Sequence, residues 1–483
     1  MNPLYSLHDF AVLAPEIACV LGGALVLFLD MIFRSQSSKR LVEGATVLAL
    51  LVSAAFALGR LDQGASAAFG GMVLDGGVSD AFRLGLAGTG LLTLIMARRE
   101  GASQGLLHAE FYALMLFALG AMMLITVSQD LMLSFVALET FSVAMYVLAG
   151  FNKAWHGNRE AALKYFLLGA FAAAFFVMGI ALVFGCAGSV NLTSVAGLFQ
   201  GGKLAGPRAL GLDLGMALCA TALFFKLGAA PFHLWVPDVY SGSTTPVAFF
   251  LSAGAKMAGF GALLKLMSSF PADKAPFPQI IAVLAIVSLL AGNLGALKQV
   301  DLKRLLAYSS VAHTGYILVG LLGLGIIGSG AQGSVVAYAL IYSAMAFVAF
   351  GLVASAEGGL KRPLLLDDLR GIGFERPYFS LAFAVAMVAM AGLPPTAGFI
   401  VKFGVFKAAL EGGHATVAVI AILNSVVSAA VYLRVLVAMY MMPKASGVAV
   451  PTGARLSGGL GFAIMVVALG LLVLGVLPSA LLR

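Results

Sequence analysis

The chain is 483 residues long, 61% hydrophobic and only 10% charged, with a mean hydropathy of +1.03 and a formal net charge of +8. A soluble domain carries about 25% charged residues, so the composition excludes an ordinary soluble fold and indicates a polytopic membrane protein. The basic residues are scattered between apolar stretches, which argues against a nucleic-acid partner.

The opening MNPLYSLHDF has no basic segment ahead of an apolar run, so no cleavable signal peptide is expected. About 20 apolar residues cross a bilayer, and the chain offers about fourteen such stretches. They are 13–33, 41–59, 79–98, 109–127, 130–150, 160–186, 209–240, 244–267, 277–297, 303–323, 332–355, 377–411, 413–441 and 457–480. The longest polar segment, 356–376, is too short for a soluble domain. Cys19, Cys186 and Cys219 lie in apolar sequence without CxxC spacing and read as inert thiols. The 58 glycines read as close helix packing.

Lysine and arginine set orientation, because they accumulate in cytoplasmic loops. The odd-numbered loops hold sixteen, from Arg34 to Arg455. The even-numbered loops and the C-terminus hold five, Arg60, Lys203, Arg208, Lys274 and Arg483. This alternation supports an even number of spans with both termini on the non-cytoplasmic side.

The other basic residues fall inside spans or at their ends. Arg83, Lys164, Lys407 and Arg434 read as side chains that snorkel from helix ends. Lys226, Lys256 and Lys402 have apolar sequence on both sides. A charge near the bilayer centre costs at least about 2.5–3.5 kcal/mol, so such a pattern asks for a function.

Two spans are too long, 209–240 and 377–411, and each has a proline-centred interruption: GAAPF around Pro231, and GLPPTAG around Pro394 and Pro395. Proline removes a backbone donor and disrupts the preceding turn. Carbonyls freed at membrane depth are tolerated only where protein or water covers them. The interrupted spans are seventh and twelfth, and an offset of five reverses direction across the membrane, so internal inverted repeats are expected. The alternative is two unrelated kinked helices.

Glu139, in SFVALETFSV, is the carboxylate placed deep in a span, and Lys226 is its candidate partner. Lys256 and Lys265 follow on the eighth span; His233 follows the first interruption; His313, in LAYSSVAHTGY, falls near mid-span; Lys402 ends the series. Buried lysine and histidine exchange protons near neutral pH, and a neighbouring carboxylate biases that exchange. The chemistry is proton relay. The alternatives are ion pairs that only hold helices together and core histidines that are merely satisfied. No phosphate-binding glycine loop, iron–sulfur cysteine cluster or haem-like histidine pair is visible.

KLGAAPFHLWVPDVYSGSTTPVAFFLSAGAKMAGF (226–260) resembles the signature of the subunit N family of proton-translocating NADH:quinone oxidoreductase, respiratory complex I. ALETFSVAMYVLAGF (137–151), DLKRLLAYSSVAHTGYILVG (301–320) and AGLPPTAGFIVKF (391–403) extend the likeness over nearly the whole chain. Subunit N is one of three antiporter-like subunits, L, M and N, related to Mrp sodium/proton antiporters. The resemblance implies an all-α membrane protein of about fourteen helices. Residues 1–108 would hold helices one to three, 109–267 a first five-helix repeat, 268–441 a second, inverted repeat, and 442–483 the last helix.

The resemblance also implies roles. Glu139 would modulate Lys226, Lys256 would connect, and Lys402 would exchange with the periplasmic side, with His233, Lys265 and His313 as further members. It implies no cofactor in this chain; NADH, FMN, iron–sulfur clusters and quinone would belong to other subunits. Expected partners are the neighbouring subunit M, the small subunit K and the lipid bilayer, in a bacterial inner membrane with both termini periplasmic. Rival readings are an Mrp-type cation/proton antiporter subunit and a purely structural membrane-arm subunit.

Overall fold

The apolar runs become helices, because a chain in lipid satisfies its backbone groups within each segment. The structure is a computed structural model that describes residues 6–33, 36–104, 106–200, 206–268, 277–324, 330–358, 360, 362–444, 456 and 458–477. Arg34, Lys203, Lys274, Lys361, Arg455 and Arg483, used above for orientation, lie outside the described residues, as does the end of the last expected span, 478–480.

Among the described residues the fold is helical apart from one hairpin, Ala67–Ala68 against Val73–Leu74, paired Ala67 to Leu74 and Ala68 to Val73. Twelve helices are long and apolar enough to span a membrane. Two of the fourteen expected stretches fall short for different reasons. Leu302–Leu321 has the length, but Lys303, Arg304, His313 and its hydroxyl residues lower its hydropathy. The stretch 377–411 is two 15-residue helices, Pro377–Ala391 and Ala397–Glu411.

The centre is Thr245–Met267, whose best apolar window is 100% buried, against 28% for the peripheral Ala14–Phe33 and Gly458–Val476. The peripheral helices turn Leu21, Phe28, Phe462 and Leu469 outward, the arrangement lipid contact favours. Two helices cross closely where small residues face each other. A Cβ on Gly179 would lie 2.6 Å from the Gly215 carbonyl oxygen, and one on Gly215 would lie 2.9 Å from that of Gly179.

Local chemistry sets the helix ends. Asp130 caps Leu131–Ala149, accepting from the Met132 and Leu133 amides at 2.9 and 3.0 Å. Asp301 caps Leu302–Leu321 in the same way, accepting from Lys303 at 2.8 Å and Arg304 at 3.4 Å. Each Asp also bridges a later segment, Asp130 with Asn191 and Asp301 with Leu365.

Both interruptions begin at a left-handed glycine. Pro207–Leu227 ends at Gly228, φ 66°, and Pro377–Ala391 at Gly392, φ 78°. The prolines follow in the linkers, with cis peptides at Ala230–Pro231 and Pro394–Pro395. The glycine, not the proline, is therefore where each helix stops. The first resumes as Trp235–Gly242, and the second as Ala397–Glu411.

Candidate functional site

The central helix carries Lys256 directly after a π-helical turn, Leu251–Ala255. Such a turn is rare inside an α-helix and frequent at functional sites. Lys256 is buried; its Nζ donates to the Ser310 carbonyl and, at 2.6 Å, to Thr314 Oγ1, and lies 5.5 Å from the centre of the Tyr342 ring. Thr314 donates its own hydroxyl to the Leu227 carbonyl at 2.9 Å. Lys256 is thus tied through one side chain to the residue beside Lys226.

Lys226 is buried in the last turn before the first break. Its Nζ donates to the Tyr146 hydroxyl at 3.1 Å. The rings of Tyr146, Tyr165, Phe225 and Phe141 surround it, with centres 5.2, 5.5, 5.6 and 5.9 Å away. A cation over an aromatic face gains about 0.5–2 kcal/mol. Four such faces and a hydroxyl reduce the insertion cost of about 2.5–3.5 kcal/mol.

Glu139 is half-buried with its Oε1 unpartnered. It acts on Lys226 electrostatically, but no carboxylate lies within 4.0 Å of the Lys226 ammonium among the described residues. The hydrogen-bond partner of Lys226 is Tyr146, with Glu139 farther off. Tyr146 is seven residues after Glu139, on the same face of Leu131–Ala149.

His313 is fully buried, with Nδ1 2.9 Å from the Tyr338 hydroxyl and Nε2 3.1 Å from that of Tyr432. The Tyr342 ring centre is 4.9 Å from the imidazole, so the ring that faces Lys256 also faces His313. Lys402 is buried on the far half of the second broken helix. It donates to the Ala391 carbonyl at 2.8 Å and sits 4.4 Å from the centre of the Tyr316 ring.

Two expected members stand apart. Lys265 is held at the end of its helix, donating to the Leu74 carbonyl of the hairpin at 2.8 Å. His233 sits half-buried in the linker after Gly228, with Nδ1 unpartnered and its ring 6.4 Å from Tyr308. Pro231, Pro394 and Pro395 are exposed in their linkers.

The snorkelling reading is compatible with Lys407, exposed beside Glu411, and with Lys164, which reaches Glu160 and Asp238 at 2.6 and 2.8 Å. It fails for Arg83, whose side chain is 0% exposed and pairs at 2.8 Å with both Glu16 and Asp80. Glu139 is accordingly not the sole carboxylate within the spans, and two others are more deeply buried. Glu16 and Asp80 lie in first helical turns that neighbouring segments cover. Arg434 reaches the Leu297 and Gln299 carbonyls.

The residues that sequence reasoning overlooked are hydroxyl-bearing: Tyr146, Ser310, Thr314, Tyr316, Tyr338, Tyr342 and Tyr432. One signal was visible, since Ser310, His313 and Thr314 recur at i, i+3 and i+4 in YSSVAHTGY. No group of three or more His, Cys, Asp or Glu side chains that could hold a metal comes together among the described residues.

Comparison with known proteins adds to this geometry. Residues 128–428 match the family described as NADH:quinone oxidoreductase/Mrp antiporter, TM. The chain is 38% identical to NADH-quinone oxidoreductase subunit N 1 of Solibacter usitatus over 480 residues, 99% of this chain and 97% of that protein. It superposes on a chain of respiratory complex I from Thermus thermophilus with a TM-score of 0.81 and 34% identity, covering 97% of this chain and 98% of that one. A chain of the Mrp complex from Dietzia sp. shares the fold, with a TM-score of 0.78 at 21% identity, over 97% of this chain and 95% of the other.

Proposed function

This chain belongs to the subunit N family of NADH-quinone oxidoreductase, within the NADH:quinone oxidoreductase/Mrp antiporter family, and from that premise we propose that it is a membrane-arm subunit that translocates protons. The energy would come from quinone reduction in other subunits, which would also hold NADH, FMN and the iron–sulfur clusters. One observation carries the reading. Lys226 and Lys256 are buried in separate helices and linked through Thr314 and the Leu227 carbonyl at a helix break. A purely structural site would pair each buried lysine with a carboxylate; here hydroxyls, carbonyls and rings hold them.

In this reading a change in the charge environment of Glu139 alters the hold of Tyr146 on Lys226. The proton passes to Lys256 beside Thr314, onward past the tyrosine-held His313, and to Lys402 at the second break. Lys265 fixes the end of the central helix, and His233 lies beside the first break. Because carbonyls and hydroxyls accept from the lysines, movement at a break would change which acceptor each ammonium donates to.

The architecture we assign is fourteen membrane helices, counting Leu302–Leu321 and the split 377–411. Two inverted repeats lie at 109–267 and 268–441, between 1–108 and 442–483. The paired Asp130 and Asp301 caps, each bridged to a later strand-like segment, and the paired Gly228 and Gly392 breaks support that assignment. Both termini would face the periplasm of a bacterial inner membrane, and subunits M and K would be neighbours.

The test is Lys226→Ala in inside-out membrane vesicles, with NADH oxidation and proton uptake followed together and assembly checked on a native gel. Assembled complex with sharply reduced uptake supports translocation through Lys226. Wild-type uptake and turnover would leave the buried lysines as structural ties.

A further inference from the structure

Glu357 and Lys303 belong to none of the steps above. Their side chains are 8% and 1% exposed, with Lys303 Nζ 3.5 Å from Glu357 Oε2. Among the described residues it is the lysine–carboxylate pair in which both side chains are under a tenth exposed. Glu357 also accepts from the Thr245 hydroxyl at 2.7 Å, and Lys303 donates to the Ser243 carbonyl at 3.2 Å with the Trp155 ring centre 5.4 Å away.

The location matters more than the pair itself. Thr245 begins the helix that carries Lys256. Lys303 lies in the first turn of the helix that carries Ser310, His313 and Thr314. Glu357 ends the helix that carries Tyr338 and Tyr342. The pair therefore joins the same ends of the three helices that hold Lys256. Ser243 and Thr244 are fully buried there, and their hydroxyls have no partner among the described residues. Buried hydroxyls are normally hydrogen-bonded, and ordered water does this where polar groups gather. One turn before Ser243, the Tyr240 hydroxyl lies 3.4 Å from Ser310 Oγ, and the Ser310 carbonyl accepts from Lys256.

We propose that Glu357 is a second proton-uptake group of this chain, supplying Lys256 alongside Lys226 by taking a proton on the side that carries Lys298 and Arg304 and passing it by water at Ser243 and Thr244, then by Tyr240 and Ser310. The inference rests on the translocation reading above. The proton adds to the Glu357 carboxylate and loosens its pair with Lys303. Transfer onward restores the carboxylate and the pair, so the group ends each cycle as it began. The charged groups around it are otherwise committed. Asp301 accepts from Ser241 at 2.5 Å, Arg304 pairs with Asp238 at 2.9 Å, and Arg362 holds Asp368 through two 2.7 Å bonds.

The experiment compares Glu357→Gln, Glu357→Asp and Lys226→Ala in inside-out vesicles containing the whole complex. It is read as protons taken up per NADH oxidised, beside a native gel. Glu357→Gln keeps an acceptor for Thr245 but cannot carry the proton. It is expected to assemble and lose part of the uptake, with Glu357→Asp restoring it. If Lys226→Ala lowers uptake while Glu357→Gln leaves it intact, the uptake role is overturned and translocation stands. If Lys226→Ala leaves uptake intact, the underlying reading fails instead. Should Glu357→Gln not assemble, Ser243→Cys decides. A charged, membrane-impermeant thiosulfonate applied to the exposed face of the vesicles labels it and lowers uptake if the passage holds water. A cysteine that stays unlabelled overturns the proposal.

Discussion

Lys402, on the far side of the second helix break, donates its ammonium at 2.8 Å to the carbonyl of Ala391, the last residue on the near side. At the first break the corresponding contact is made by Trp235, whose Nε1 donates at 3.0 Å to the Phe225 carbonyl. The two breaks therefore close their backbone differently. Trp235 leaves Lys226 free to face Tyr146, whereas Lys402 holds the break itself. Movement of the second break moves the lysine's acceptor directly.

Lys402→Met is expected to remove both the charge and the donor to Ala391, and losing the partner of a buried carbonyl costs about 1–3 kcal/mol. Gly392→Ala separates the two effects. Its Cβ would fall 2.5 Å from Lys402 Cδ, at a φ of 78° that disfavours alanine, so it displaces the lysine without removing it. Both variants should lower proton uptake per NADH oxidised. An uptake ratio unchanged in Gly392→Ala would mean that the lysine's placement at the break is unimportant.

Tyr146→Phe keeps the ring that faces Lys226 and deletes the hydroxyl that accepts from it at 3.1 Å. Removing a hydrogen bond to a charged group costs about 1.5–3 kcal/mol, enough to shift proton occupancy tenfold or more. The complex should assemble and oxidise NADH while uptake falls. Gly169→Ala should act alike, because a Cβ there would lie 1.9 Å from the Tyr146 hydroxyl. Normal uptake in Tyr146→Phe would return the role of Lys226 partner to Glu139 alone.

The breaks were legible because GAAPF and GLPPTAG put prolines inside spans too long for one crossing, a local signal; that each helix stops at a left-handed glycine, Gly228 or Gly392, was not. Burial of Lys226, Lys256 and Lys402 was legible because apolar sequence flanks each lysine. The partners were not. Tyr146 and Tyr165 reach Lys226 from two other helices, and one sequence carries no record of which helices touch. The same gap explains Arg83. Its place in the second turn of a helix suggested a route to water, yet the Glu16 and Val12 segment closes over it. The Lys303–Glu357 pair was hidden because each residue, taken alone, reads as belonging to a loop.

Outside the spans, the Arg362 guanidinium bonds both oxygens of Asp368 and the Leu365 amide donates to it at 2.8 Å; together they hold its carboxyl below the ordinary 3.8. A carboxyl depressed by folding contributes stability above its unfolded value and loses it as pH falls through the folded one. The turn at 366–369 should therefore keep its order from pH 8 down to about 4 and loosen below that. Arg362→Gln should move the loosening to higher pH. Hydrogen exchange at the Leu365 amide, corrected for intrinsic rates, would read this; a loss of protection already at pH 6 in the parent chain contradicts it.

Arg83 offers the sharpest test of a structural role. Its guanidinium donates to Glu16 Oε1 and Asp80 Oδ1, both at 2.8 Å, and to the Val12 carbonyl at 3.0 Å. It ties the first spanning helix and the segment before it to Gly77–Gln104. Removing it leaves two carboxylates buried without their cation, a cost of about 3–5 kcal/mol. Arg83→Ala should lower the amount of assembled complex on a native gel, and Arg83→Lys should rescue it poorly, because one ammonium lacks the planar fork that reaches three acceptors. Whatever complex does assemble should pump with a normal ratio of protons to NADH, since no step assigned above passes through this triad. A reduced ratio in the assembled fraction would bring the triad into the translocation path.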